Sequence, residues 1–183
     1  MRKLTVFNHV TLDGYFTDSK GDMSWAHKSD PEWDEFVAGN ASSPSSGALL
    51  FGRVTYEMMA SFWPTPEAQE SMPTVADGMN QMQKFVLSKS LREATWNNTT
   101  IVRSLDEIEK IKRDSGPDIV VLGSGNVVTQ LAAKGLVDEY QIIVNPLAIG
   151  AGRTLFEGTR VNLKLKSTRA FKIGNVLLTY ERA

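Results

Sequence analysis

The segment IVVLGSGNVVTQLAAKGLVDEYQIIVNPLAIGAGRTLF, residues 119–156, joins a β-branched run to a Gly-Ser-Gly turn, a helix-like stretch and a second apolar run. The first run is continuously apolar, which is typical of a strand that a parallel sheet buries on both faces. Gly135 follows the helix-like stretch, at the position where a C-cap glycine ends a helix. The segment therefore predicts a strand, a helix and a second strand of an α/β protein.

The remainder of the chain continues this alternation. The segments KLTVFNHVTL, GALLFG, KFVLS and TTIV predict four more strands. Helices are predicted for SDPEWDEFVAGNA, for RVTYEMMASFW and for SLDEIEKIKRDSG, in which Ser104 and Glu107 have the spacing of a capping box. Residues 66–83 predict an irregular helix or a lid. Two alternating runs around Gly174-Asn175 predict a C-terminal antiparallel hairpin, so the expected sheet is mixed.

Composition restricts the classes of function. The chain has 183 residues, which fits one domain over residues 1–183, and its net charge of −1 gives no basic surface for nucleic acid or a membrane. It has no cysteine and 2 histidines, so a metal site is not expected. No targeting or transmembrane segment is visible, and a cytoplasmic protein with a small-molecule ligand is expected.

The Gly-Ser-Gly turn has two interpretations. Glycines between a parallel strand and a helix let backbone N–H groups approach a phosphate, which the helix dipole also favours. Alternatively, Gly123 and Gly125 only permit positive φ in a tight corner. The dinucleotide fingerprint requires a third glycine and an acidic residue about twenty positions further on. Val128 and Asn145 stand there instead, so the sequence disfavours a Rossmann fold.

Two other predicted strands end in polar corners. Gly52, Arg53 and Thr55 follow one strand, and Ser88 and Lys89 follow another. Each corner alone could be a surface charge or an ordinary polar loop. Ligands of open α/β sheets collect at the carboxyl ends of the strands, and all three corners lie at such ends. Together they favour a phosphate-containing ligand.

The segments VTLDGYF, LLFGRVTYEMM, KFVLSKSL and GSGNVVTQLAAKGLVDEYQIIVNPLAIGAGRTLF resemble the dihydrofolate reductase-like superfamily. The resemblance is strongest to the reductase domain of the bifunctional riboflavin-biosynthesis deaminase-reductase and its stand-alone homologues, and it covers nearly the whole chain. It implies a three-layer α/β fold whose central sheet is mixed and mostly parallel, with helices on both faces. It also implies NADPH as the hydride donor, and a homodimer.

The resemblance assigns the three corners to different parts of NADPH. The implied pyrophosphate residues are Gly123, Ser124, Gly125 and Asn126, with Val127 close by. The implied residues of the adenosine 2′-phosphate site are Arg53, Ser88 and Lys89, with Thr55 adding a donor at its helix start. Gly52 is the implied cofactor-binding residue at the corner before Arg53. Val10 and Thr11 would border the nicotinamide.

The substrate side matches the family less closely. Tyr15 stands where riboflavin-type reductases have a basic residue, which argues against a phosphorylated sugar. Trp25 and Asp30 are similar to a tryptophan and a carboxylate of dihydrofolate reductases, but the intervening residues differ. Asp13 and Asp30 are the candidate catalytic acids, and an ordered water is the third candidate proton donor. Asp13 could instead be a turn residue and Asp30 a helix cap.

The sequence thus predicts an NADPH-dependent reductase. Its expected substrate is a compound like 5-amino-6-(5-phosphoribosylamino)uracil, or a related small carbonyl or imine compound. Dihydrofolate reduction is one alternative. A non-catalytic nucleotide-binding protein of the same fold is another, because fold alone does not establish function.

Overall fold

A computed structural model describes residues 1–42 and 47–183. The strands are β1 (Leu4–Thr11), β2 (Tyr15–Thr17), β3 (Ala48–Gly52), β4 (Lys84–Leu87), β5 (Thr99–Val102), β6 (Ile119–Leu122), β7 (Glu139–Asn145), β8 (Arg153–Thr154), β9 (Leu163–Ala170) and β10 (Val176–Arg182). The α-helices are α1 (Pro31–Ser42), α2 (Arg53–Phe62), α3 (Pro66–Ser71), α4 (Pro73–Gln81), α5 (Leu105–Arg113) and α6 (Gly125–Ala133). A short 3₁₀ helix covers Ser24–Ala26.

An 8-stranded sheet forms the centre of the molecule, in the order β5-β4-β3-β6-β1-β7-β10-β9. All pairs from β5 to β7 are parallel, and the C-terminal strands β10 and β9 are antiparallel. The predicted mixed, mostly parallel sheet and its C-terminal hairpin are therefore confirmed. The strands β2 and β8 form a separate two-stranded antiparallel sheet.

Alternation along the strands distributes side chains between two helical layers. Leu4 and Val6 of β1 are buried in the same cluster as Leu131 of α6, whereas Phe7 packs with Trp33 of α1 on the opposite face. This is the period-2 pattern of a strand whose two faces are both covered. The helices α5 and α6 contribute to the first cluster, and α1, α2 and α4 to the clusters of the other face, so the predicted three layers are confirmed.

The neighbouring strands of β1 have different lengths. The pairing of β1 with β6 ends at Phe7↔Leu122, whereas its pairing with β7 continues to Thr11↔Asn145. The connection through α1 leads from β1 to β3, which lies on one side of β1 in the sheet. The connection through α6 leads from β6 to β7, which lies on the opposite side of β1. Such a change of direction at the carboxyl ends of parallel strands opens a crevice for a ligand.

Three local predictions can be compared with the structure: the cap of α5, the segment 66–83 and the loop after β1. Ser104 caps α5 by accepting a hydrogen bond from the Glu107 amide, as the capping-box spacing predicted. The segment 66–83 forms two short helices, each with proline at its first position. The loop predicted after β1 contains β2 and the 3₁₀ helix. Within residues 1–42 and 47–183, no helix has the length and apolar character that crossing a membrane requires.

Candidate functional site

A cavity of about 1680 Å³ opens at the carboxyl ends of the central strands. It lies where β1 continues past β6, and its wall includes the residues that follow β3, β4, β5 and β6. The predicted phosphate-contacting residues all line it: Gly52, Arg53, Thr55, Ser88, Lys89, Gly123, Ser124, Gly125, Asn126 and Val127. The structure thus brings the three polar corners of the sequence together in one place.

Three helices begin at this cavity. Their N-cap residues are Gly52 for α2, Ser104 for α5 and Ser124 for α6, and all three line the cavity together with residues of the following turn. The first N–H groups of a helix have no intrahelical partner, and the helix dipole is positive at that end. The three N-termini therefore direct backbone donors and partial positive charge towards the same space, which suits an anionic ligand.

Ser124 joins two of these helix starts. Its Oγ accepts a hydrogen bond of 2.7 Å from the Gly52 amide and donates one of 2.8 Å to Thr55 Oγ1. Gly123 and Ser124 have φ of 61° and 58°, so the turn before α6 has left-handed backbone, and the Gly123 carbonyl accepts from Asn8 Nδ2 at 3.3 Å. Positive φ at Ser124 is uncommon for a residue other than glycine, and these bonds hold the turn in that conformation.

The glycines of the turn also permit close packing within the protein. A Cβ atom at Gly125 would lie 2.5 Å from two ring carbons of Phe16, and one at Gly123 would lie 3.0 Å from the Thr55 methyl group. Phe16 belongs to β2 and lines the cavity. The space next to the Gly125 Cα is thus occupied by an aromatic ring. The turn is therefore a tight corner as well as a set of donors that face the cavity.

Basic side chains dominate the charge of the cavity wall. These are Arg53, Lys89, Arg103, Lys134 and Arg153, and Glu157 is the carboxylate among the described lining residues. Arg53 forms an ion pair with Glu57 one turn along α2, and Lys134 pairs with Asp106. Arg103 instead donates to the backbone carbonyls of Ser88 and Leu91, both at 2.7 Å, which fixes the guanidinium without neutralising its charge.

Arg103 is a site residue that sequence reasoning missed. It directly follows β5, as Arg53 follows β3 and Ser88 follows β4. The pattern of polar residues at strand ends includes Arg103 as well, so this signal in the sequence could have identified it. Asn8, His9 and Phe16 were missed as well, because their positions within strands gave no polar corner to notice.

Asp13 and Asp30 do not line the cavity. The Asp13 carboxylate accepts hydrogen bonds from the Thr11 hydroxyl and from the amides of Ile149 and Gly150. The Thr11 hydroxyl first, and then these amides, lower the pKa of Asp13 below its ordinary value. Asp30 accepts from the Trp33 amide at 2.8 Å, which makes it the cap of α1. The structure thus shows Asp13 in a turn and Asp30 as a helix cap, which are the alternative roles. The catalytic roles of both residues stay predictions.

The predicted nicotinamide neighbours also lie outside the cavity lining. Val10 is buried in the core beneath α6, and the Thr11 hydroxyl donates to Asp13 while accepting from the Tyr15 amide at 3.0 Å. The carboxyl-terminal half of β1 contributes Asn8 and His9 to the cavity instead. Contact of Val10 and Thr11 with a nicotinamide stays a prediction.

The carboxylates Asp138 and Glu139 lie at the opposite edge of the sheet. Asp138 pairs with Lys112, and Glu139 pairs with Lys3 and Lys166, both at 2.8 Å. Neither lines the cavity. Within residues 1–42 and 47–183, no group of three or more His, Asp or Glu side chains is arranged to hold a metal ion.

The mixed sheet with its C-terminal hairpin, and the cavity at the strand ends, define a protein of the dihydrofolate reductase-like class. The sequence identifies the family within this class. The chain belongs to the RibD C-terminal domain family, whose sequence profile matches residues 2–179. Membership of this family implies reductase chemistry of the riboflavin-pathway type.

Relatives and solved structures show the same likeness along the whole chain. The Bacillus subtilis protein YyaP is 28% identical over 187 residues, which cover 98% of this chain and 94% of YyaP. YwjB of the same organism is 24% identical over 184 residues, covering 100% of this chain and 99% of YwjB.

Two crystal structures have the same fold. A protein from Shewanella sp. PV-4, provisionally assigned to riboflavin biosynthesis, has a TM-score of 0.70 and 21% identity, with 99% of both chains covered. A pyrimidine reductase-like protein from Corynebacterium diphtheriae has a TM-score of 0.65 and 11% identity, covering 100% of this chain and 92% of that one. At these identities the two structures support the fold alone.

Proposed function

We propose that this protein is an NADPH-dependent reductase of a small carbonyl or imine compound. The convergence of three helix N-termini on one cavity, with basic side chains between them, is the observation that carries the proposal. NADPH contains a pyrophosphate and a 2′-phosphate, so it needs two separate groups of anion-binding donors. The starts of α6 and α2 supply such groups at neighbouring strand ends.

The chemistry of the wall fits the cofactor. The turn at Gly123–Asn126 offers backbone donors for the pyrophosphate, while Arg53, Lys89 and Arg103 surround the corners after β3, β4 and β5. Arginine forks and helix-start amides are the usual partners of phosphate. Arg103 enters the proposal as an addition to the residues that the sequence indicated.

The other wall of the cavity suits a small, partly apolar substrate. It is formed by Phe7 and His9 of β1, Phe16 of β2, and Met23 and His27 around the 3₁₀ helix. NADPH, when bound, supplies the hydride, and the protein binds, orients and excludes water. Since neither Asp13 nor Asp30 lines the cavity, we propose that a water molecule held there delivers the proton.

The substrates are ranked by the family membership and by the position of Asp30. A ribosylaminopyrimidine like 5-amino-6-(5-phosphoribosylamino)uracil is placed first, because the family membership concerns riboflavin-type reductases. Dihydrofolate is placed lower, because the carboxylate of Asp30 is engaged in capping α1 and does not reach the cavity. Related small carbonyl and imine compounds are assayed beside the ribosylaminopyrimidine.

The test measures binding and turnover separately. NADPH affinity is measured by fluorescence titration, and NADPH oxidation by absorbance with each substrate class and with a blank. We expect binding by NADPH, and turnover with the ribosylaminopyrimidine that exceeds turnover with dihydrofolate. Tight binding without turnover of any compound would instead support a non-catalytic nucleotide-binding protein, and faster turnover of dihydrofolate would reverse the ranking.

A variant in the turn before α6 tests where the cofactor binds. Ser124→Ala removes the acceptor of the Gly52 amide and the donor to Thr55, so we expect NADPH affinity to fall by about tenfold. Ser61→Ala is the matched control, because the Ser61 hydroxyl bonds only to its own helix at the Met58 carbonyl and lies outside the cavity lining. Equal affinities in the two variants would place the cofactor elsewhere.

A further inference from the structure

His9 is an imidazole on the substrate side of the cavity for which the sequence suggested no role. It lies on β1 beyond the end of β6, is partly buried, and lines the cavity. Its ring packs edge-on between Phe7, at a centroid distance of 5.9 Å, and Trp33, at 5.6 Å. Two aromatic neighbours and the strand backbone thus hold the ring in one orientation.

The side chain of Asn145 lies beneath this ring and is completely buried. Its Nδ2 is 3.0 Å from the Val10 carbonyl oxygen and 3.2 Å from the Ile143 carbonyl oxygen. Carbonyl oxygens only accept hydrogen bonds, so the NH₂ group must face them. The reversed amide would place its oxygen against two carbonyl oxygens, and the orientation of Asn145 is therefore determined by the backbone.

The orientation of Asn145 determines the tautomer of His9. Asn145 Nδ2 is also 3.4 Å from His9 Nδ1. Both hydrogens of this NH₂ group face the two carbonyls, so Nδ1 receives at most a share of one of them, but a proton on Nδ1 would point at an amide group that has no acceptor to offer there. The contact therefore fits an unprotonated Nδ1. Burial lowers the pKa of His9 to about 4, and the ring is neutral at neutral pH. A neutral imidazole carries one N–H, which therefore lies on Nε2.

We propose that His9 orients the substrate by donating a hydrogen bond from Nε2–H to one of its carbonyl oxygens, while Asn145 holds the ring in that tautomer. This inference rests on the proposed reductase function and names the substrate feature that the apolar wall recognises. His9 keeps its proton throughout the reaction. It is a specificity-determining donor, and its preference is for a substrate with a carbonyl oxygen, such as a pyrimidinedione, over one without.

The tautomer is tested without any enzyme assay, by ¹⁵N NMR of histidine-labelled protein. The chain has 2 histidines, so the spectrum contains two imidazoles, and His27→Gln assigns the signals of His9. We expect a protonated Nε2 and an unprotonated Nδ1 for His9 at pH 7. In Asn145→Leu, which removes the amide, we expect this single-tautomer pattern to be lost. A protonated Nδ1 in the parent protein would overturn the proposal.

The contact with substrate is tested with 5-aminouracil as the carbonyl probe, in the presence of NADPH. We expect the His9 Nε2–H resonance to shift on addition of the probe, and the His27 signals to change less. Absence of a shift at millimolar probe would overturn the proposed contact. This experiment requires no turnover, so its failure is distinguishable from failure of the reductase function.

Kinetics of His9→Phe provide the third test, because phenylalanine keeps the ring between Phe7 and Trp33 but has no donor. We expect kcat/KM for the ribosylaminopyrimidine to fall by about 2- to 13-fold, the range for one neutral hydrogen bond, with NADPH affinity unchanged. The pH profile should keep its shape between pH 6 and 8. A step in the parent profile that the variant loses would show that His9 transfers a proton, and would overturn the assigned role.

Discussion

The charge of Arg53 should distinguish NADPH from NADH. Arg53 is the first residue of α2 and lines the cavity, and its side chain is 46% exposed. A hydrogen bond to a charged group contributes about 1.5–3 kcal/mol, but solvent screens a half-exposed arginine and Glu57 competes for it at 3.0 Å. We therefore take the lower limit, about 1.5 kcal/mol, which is roughly tenfold in affinity.

Arg53→Ala is accordingly expected to weaken NADPH binding by about tenfold and to leave NADH binding nearly unchanged, since NADH lacks the 2′-phosphate. Glu57→Gln removes the competing carboxylate while Arg53 remains, so NADPH should bind equally well or more tightly. Arg113→Ala is the matched control, because Arg113 forms the same kind of ion pair with Glu109 one turn away, outside the cavity lining.

Both affinities are measured by fluorescence titration at about 0.15 M ionic strength, where exposed charges more than about 8 Å apart are screened. Equal weakening of NADPH and NADH binding by Arg53→Ala would refute the reasoning. An equal effect of Arg113→Ala would also refute it, because net charge alone would then explain the loss.

Three further predictions concern stability and assembly. Lys84→Met should lower the free energy of unfolding by about 2–4 kcal/mol in denaturant titration, because Lys84 Nζ donates to three backbone carbonyls. NADPH affinity should not change, since Lys84 is at the start of β4, at the end of the strand away from the cavity. For Glu139, burial alone would raise the pKa, but bonds from Lys166, Lys3 and Gln141 outweigh it and lower the pKa to about 2. Its stabilising contribution should therefore be complete above its ordinary pKa and be lost as the pH falls towards 2, in melting curves of the parent but not of Glu139→Gln. We propose a homodimer that covers the apolar segment NPLAIGAG. Light scattering at micromolar concentration should therefore give twice the chain mass of 20.2 kDa, and a monomeric mass would refute the proposed dimer.

The parts of the fold that were predictable are those in which a local pattern has one physical solution. The uninterrupted apolar run of β6 is suited to burial on both faces, and the two alternating runs around the turn at Gly174 pair with each other as a hairpin. Polar residues at strand ends likewise had to meet, because parallel strands end at one edge of the sheet. The corners after β3, β4 and β6 line the cavity as this rule requires, whereas Asn126 and Val127 were indicated by the family resemblance.

The parts that were not predictable depend on contacts between distant segments. The strands β2 and β8 have three and two residues, too few to show a pattern, and they form only because they pair with each other. Asp13 gave a turn signal, but its bonds to Ile149 and Gly150 join it to a loop that is far away in the sequence. The role of Asn145 was invisible for the same reason, since its partners on β1 are in another strand.

The division of the cavity between β6 and β1 has a consequence for how relatives of this protein diverge. The three helix starts at the cavity lie within residues 52–127, whereas Phe7, His9, Phe16, Met23 and His27 come from the first 27 residues. Substitutions at Phe7, His9, Met23 and His27 would therefore alter what the cavity accepts, whereas Phe16 also packs against Gly125 at the start of α6. A lineage that keeps the polar corners and varies this stretch would acquire new ligands on one side of the cavity while keeping the three helix starts on the other. Exchange of residues 7–27 for the corresponding stretch of YyaP would test this division.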